Sequence, residues 1–119
     1  MNAVEKLEAA IGKLETLKAE STPGPWLLTI ARQNTHAIYG REPGREVVGS
    51  TPNYGGLWHS EDGELIVTLH RTIDAVLTIL RATVESVPIW FGDGATEAEV
   101  VDEIDRELAL ADAILGDAS

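Results

Sequence analysis

The spacing of apolar residues changes period across one proline-bounded turn, and no other feature constrains the fold as much. Before the turn, Val4, Leu7, Ile11, Leu14 and Leu17 recur every three or four residues, one stripe of a helix. Glu5, Lys6, Glu8, Lys13 and Glu15 occupy the opposite side. After the turn, Trp26, Leu28 and Ile30 alternate with Leu27, Thr29 and Ala31, the period of a strand. The turn itself, Thr22-Pro23-Gly24-Pro25-Trp26, fixes φ twice and disfavours helix at the residue before Pro23. A helix over residues 1–21 is therefore predicted to give way to β structure. Gly12 within that helix offers a place for a neighbouring helix to approach.

Residues 22–59 read as a β meander with its loops. His36 to Tyr39 and Glu46 to Gly49 are short strand runs, and Gly40 to Gly44 with Pro43 is the turn between them. Short loops join antiparallel neighbours. A second helix is predicted over 60–86. Ser60 stands at its start as N-cap, and Leu65, Leu69, Ile73, Val76 with Leu77, and Leu80 form its stripe, widened near the start by Ile66 and Val67. Pro88 and Gly92 predict a loop over 87–95. Thr96 with Glu99 then makes a capping box for a last helix over 96–116, and Gly116 is its C-cap. Val101, Ile104, Leu108, Ala111 and Leu115 repeat there as a coiled-coil type of seam. The expected fold is α+β: three amphipathic helices, with a small antiparallel three-stranded meander between the first and second. At 119 residues it is expected to be a single domain.

Composition narrows the function. Nine basic residues against 20 acidic ones give a net charge of −11, which disfavours direct binding of nucleic acid or an anionic membrane. The chain has no cysteine, so disulfides and thiolate chemistry are excluded. The N-terminal residues do not resemble a signal peptide, and no apolar run approaches the ~20 residues of a membrane span. A cytoplasmic protein is expected. Walker, dinucleotide-binding, nucleophile-elbow and metalloprotease motifs are all missing, so no catalytic residue, metal or cofactor is assigned and the chain is read as a non-enzyme.

Four groups of residues merit attention. Ile89, Trp90 and Phe91, expected in a loop, form an apolar patch suited to a protein partner. Glu99, Asp102, Glu103 and Asp105 lie in an acidic segment: residues 95–119 hold eight acidic side chains against Arg106 alone. That face could mimic nucleic-acid phosphate, or simply be solvated. Arg32, Tyr39, Arg41 and Arg45, with Tyr54, could form a pocket for a phosphate-bearing nucleotide signal, or guard a sheet edge. His70 and Asp74, four apart, are half of a metal site at most, and His36 and His59 could join them only through folding. Trp26 is expected to be the first inward residue of its strand.

Leu7-Glu8-Ala9-Ala10, the Thr22 to Trp26 turn, Asp62 to Leu69 and Leu77-Thr78-Ile79-Leu80 together resemble small accessory proteins of tailed bacteriophages. These include the Ead-like early-region proteins and their actinobacterial-phage relatives. The resemblance covers residues 7–81 and stops after residue 86, where the Trp-Phe segment and the acidic helix follow no family pattern. It implies a phage-encoded accessory protein acting in the host cytoplasm, in host takeover or anti-defence. It carries no catalytic residues. The expected function is non-enzymatic binding to a host or defence protein, with a homodimer formed through a helix seam. The alternatives are a DNA-mimic inhibitor and a nucleotide-binding sponge.

Overall fold

The computed structural model describes residues 2–30, 35–41, 46–49, 57 and 59–116. Among these, the order is α1 (Ala3–Glu20), β1 (Leu27–Ile30), β2 (His36–Tyr39), β3 (Glu46–Val48), α2 (Ser60–Arg71), α3 (Ile73–Gly92), α4 (Glu97–Glu103) and α5 (Asp105–Leu115). The α+β class and the antiparallel β1-β2-β3 meander are as expected. The number of helices is not. The chain folds into two compact units, one comprising Met1–Leu17 with Asp74–Ser119 and the other Lys18–Ile73.

The first unit is helical. Its core gathers Ala3, Leu7 and Ala10 of α1, Leu80 and Val87 of α3, Val100 of α4, Ile104 and Ala111. The buried face of α1 is thus Ala3, Leu7 and Ala10, with Leu14 half-buried, and Leu17 lies outside it. Gly12 has no neighbour that an added Cβ would meet, so the expected helix approach there does not occur. Two ion pairs clip α1 to its neighbours: Lys6 Nζ lies 2.9 Å from Asp112 Oδ1, and Arg81 Nη2 lies 2.9 Å from Glu15 Oε1. Both are partly exposed and add little energy beyond fixing register.

Three expected boundaries are corrected. The helix over 60–86 is interrupted at Thr72, whose hydroxyl donates to the Leu69 carbonyl at 2.7 Å and competes with the helical bonds of that turn. The loop over 87–95 is mostly helix, because α3 continues through Pro88 to Gly92. Proline removes one helical bond, yet Leu80, Val84, Val87 and Trp90 keep the helical stripe and pack on one core. Burial of that stripe outweighs the local cost. The last helix bends at Ile104, where φ and ψ depart from helical values to −108° and 25°. Its bonds still run through, from Ile104 N–H to Val100 O at 3.0 Å and from Leu108 N–H to Ile104 O at 2.9 Å. The seam there begins at Val100, which is buried, and not at Val101, which is 38% exposed.

The second unit is a small sheet with α2 laid on it. β1 and β2 pair from Leu27 opposite Tyr39 to Ile30 opposite His36. β2 and β3 pair at Ile38–Val48 and Tyr39–Glu46, with a register shift between. Leu57 extends the β2 edge through reciprocal bonds with His36 at 2.7 and 2.8 Å. Ala37, Ile38 and Val67 are buried. Gly63 is the closest approach of α2 to the sheet: a Cβ there would collide with the Leu28 side chain. Only the Val67 side of the expected α2 stripe is turned inward. Gly63 and Val67 face inward, while Leu65 and Leu69 are 58% and 57% exposed. His59 takes the N-cap position expected of Ser60, without a side-chain cap.

Candidate functional site

Trp90 sits in the last turn of α3, and two local motifs shape the cleft beside it. The first ends α3. Ala95 N–H donates to Trp90 O at 3.0 Å and Gly94 N–H to Phe91 O at 3.0 Å, the paired bonds of a Schellman motif. Gly94 occupies the left-handed position this requires, with φ 95°. The motif folds Ala95 back over Trp90, and both pack against the helical core. The second motif begins α4. Glu99 N–H donates to Thr96 Oγ1 at 3.2 Å, while Glu99 Oε1 accepts from Thr96 N–H at 3.3 Å and from its hydroxyl at 3.0 Å. This is the expected capping box. Asp93 and Gly94 thus serve a turn held at both ends.

Between these motifs lies a cleft of about 310 Å³ lined by Trp90, Ala95, Glu99, Val100 and Glu103. Two groups that the sequence presents separately meet here: Trp90 of the apolar patch and Glu99 and Glu103 of the acidic face. Asp102 and Asp105 are exposed nearby in sequence but do not line the cleft. Ile89 and Phe91 flank Trp90 in the helix and are 64% and 40% exposed. Trp90 anchors in the core while its two neighbours face solvent. The site offers hydrophobic contact, an aromatic ring and fixed negative charge.

The remaining candidates do not converge. Arg32, Arg45 and Tyr54 lie outside the described residues. Tyr39 is half-buried in β2, and Arg41 is exposed, its backbone N–H donating to Pro23 O at 3.0 Å. His70 and Asp74 no longer share one helix, since α2 ends at Arg71 and α3 starts at Ile73. Among the described residues no group of three or more potential metal ligands assembles. His70 instead stacks on Trp26, with ring centroids 3.7 Å apart and planes 9° from parallel. The Trp26 indole N–H donates to Thr22 O at 2.8 Å, and a Cβ on Gly24 would lie 2.6 Å from His70 Cε1. Trp26 therefore precedes β1 and locks the proline turn to α2. No local pattern signals this pairing, because the two rings are distant along the chain.

The coiled-coil seams proposed for dimerisation are occupied within the chain: Leu7, Ile104 and Ala111 are buried in the helical core. Among the described residues no helix is long and apolar enough to cross a membrane. Comparison with protein-family models, with curated proteins and with solved structures gives no match.

Proposed function

We propose that this chain is a non-enzymatic binding protein whose contact surface is the C-terminal turn of α3 with the adjoining acidic face of α4. The carrying observation is the exposure of Ile89 and Phe91 beside a cleft lined by Trp90, Glu99 and Glu103. Large apolar side chains left exposed next to charge are characteristic of protein contacts. The resemblance to phage accessory proteins supplies the setting: a host or defence protein as target, in the host cytoplasm. A homodimer built on this same patch is the self-associating form of the reading. Capture of partners from host lysate, with wild type and the Ile89→Ser/Phe91→Ser double variant, tests it. A single dominant partner captured by wild type and lost by the variant, with helix content unchanged, is expected. Equal capture by both removes the patch from consideration.

The exposed carboxylates of Asp102, Glu103 and Asp105 favour a second reading, an acidic mimic of nucleic-acid phosphate. The two readings separate on salt. Purely electrostatic capture falls steeply between low and high ionic strength, whereas capture anchored by Ile89 and Phe91 survives it.

A further inference from the structure

We propose that the cleft between the Schellman turn and α4 is a receptor for an arginine side chain, presented by a basic amphipathic segment of a partner protein. This deepens the binding role above and rests on it.

The argument is chemical complementarity. Trp90, Ala95 and Val100 supply apolar lining, and Glu99 and Glu103 supply two carboxylates to the same cleft. An aromatic ring beside negative charge suits a cation with a flat apolar face. Guanidinium meets that description: it stacks on indole and offers several donors to carboxylates. Lysine is the poorer fit, because its ammonium is compact and strongly hydrated. The volume, about 310 Å³, is at the small end for ligand pockets and leaves room for one long side chain. The charge is also held in place. Glu99 Oε1 accepts from both the Thr96 N–H and the Thr96 hydroxyl, which holds that carboxylate at the rim before any partner arrives.

The surroundings specify the rest of the segment. Ile89 and Phe91, exposed on either side of Trp90 in sequence but outside the cleft lining, are available to apolar residues further along the segment. Beyond the cleft, Asp102 and Asp105 are exposed and add the field that draws in a basic segment. A neutral or acidic apolar peptide would find hydrophobic contact here but would leave both carboxylates unanswered.

The test uses the full chain and a synthetic amphipathic peptide of alternating leucine and arginine clusters. A matched peptide carries citrulline at every arginine, which keeps the shape and removes the charge. The indole N–H resonance of Trp90, identified by its loss in Trp90→Phe, reports binding. A saturable shift of that resonance and of the amides of residues 95–103 is expected with the arginine peptide. At least tenfold weaker binding is expected with citrulline, and likewise for Glu99→Gln/Glu103→Gln, in which glutamine can keep the cap. Asp102→Asn/Asp105→Asn removes the same charge outside the cleft and should cost no more than about threefold. Equal binding of the two peptides, equal losses in the two double variants, or no shift at Trp90 would each overturn the proposal. If the peptide fails while Ile89→Ser/Phe91→Ser still abolishes partner capture, the arginine receptor is wrong and the binding surface stands.

Discussion

The two units bury their residues in different ways. In the helical unit, α1, α3, α4 and α5 contribute aliphatic side chains at helical spacing to one cluster, with Leu7 and Leu80 fully buried. Among the described residues of the sheet unit, the buried hydrophobic ones are fewer. Val67 of α2 and Ala37 and Ile38 of β2 are buried, and α2 comes close to the sheet because Gly63 has no side chain to meet Leu28. Leu27, Ile30, Leu65 and Leu69 meanwhile remain exposed. One unit depends on side-chain volume, the other on backbone proximity. The difference bears on function, because a firm helical core lets Trp90 stay anchored while its neighbours are offered to solvent.

Substitutions can break or sharpen this contrast. The largest effect is expected in the helical core: Leu80→Ala should cost about 3 kcal/mol by urea denaturation, from lost burial and the cavity left behind. A loss below about 1 kcal/mol would mean that the cluster is not tightly packed. Two helical glycines, Gly63 and Gly12, should then respond with opposite sign. Gly63→Ala must displace Leu28, and should destabilise by roughly 1–2 kcal/mol despite the better helix propensity. Gly12→Ala meets nothing, and should stabilise by roughly 0.5–1 kcal/mol. Thermal melts of both variants check the pair, and a shared sign would erase the distinction between volume and proximity.

Smaller effects belong to the surface and the caps. Thr96→Ala removes the hydroxyl that accepts from Glu99 N–H and should cost about 1 kcal/mol. It should also broaden the Trp90 indole resonance, since the cap holds one wall of the cleft. Leu69→Ser should change stability by no more than about 0.5 kcal/mol, because Leu69 is more than half exposed. A larger loss would show that the α2 stripe is covered in solution.

Much of the fold was legible where local chemistry acts alone. The three short strands follow from alternation and turn residues, and the Thr96–Glu99 box and the Gly116 cap follow from residue type at fixed offsets. What local patterns missed required tertiary competition. Pro88 signals a break, but the stripe Leu80, Val84, Val87 and Trp90 continues past it, and extending that stripe by one turn would have placed Trp90 in a helix. The faces of α2 and α4 differ from their leucine and valine patterns because Gly63 and Val100 are the residues that fit the neighbouring layer. The cleft was half legible. Trp90 and Glu103 were each singled out, but their meeting depends on the Schellman turn at Gly94, which reverses the chain between them.

Site-specific photo-crosslinking compares the two regions as binding surfaces most directly. A benzoylphenylalanine placed at Phe91 and, separately, at Arg41 would be activated in host cells. The expected result is one discrete adduct from position 91, weakened by Glu99→Gln/Glu103→Gln, and none from position 41. An adduct from position 41 alone would move the contact surface to the sheet and contradict the assignment to the α3–α4 turn.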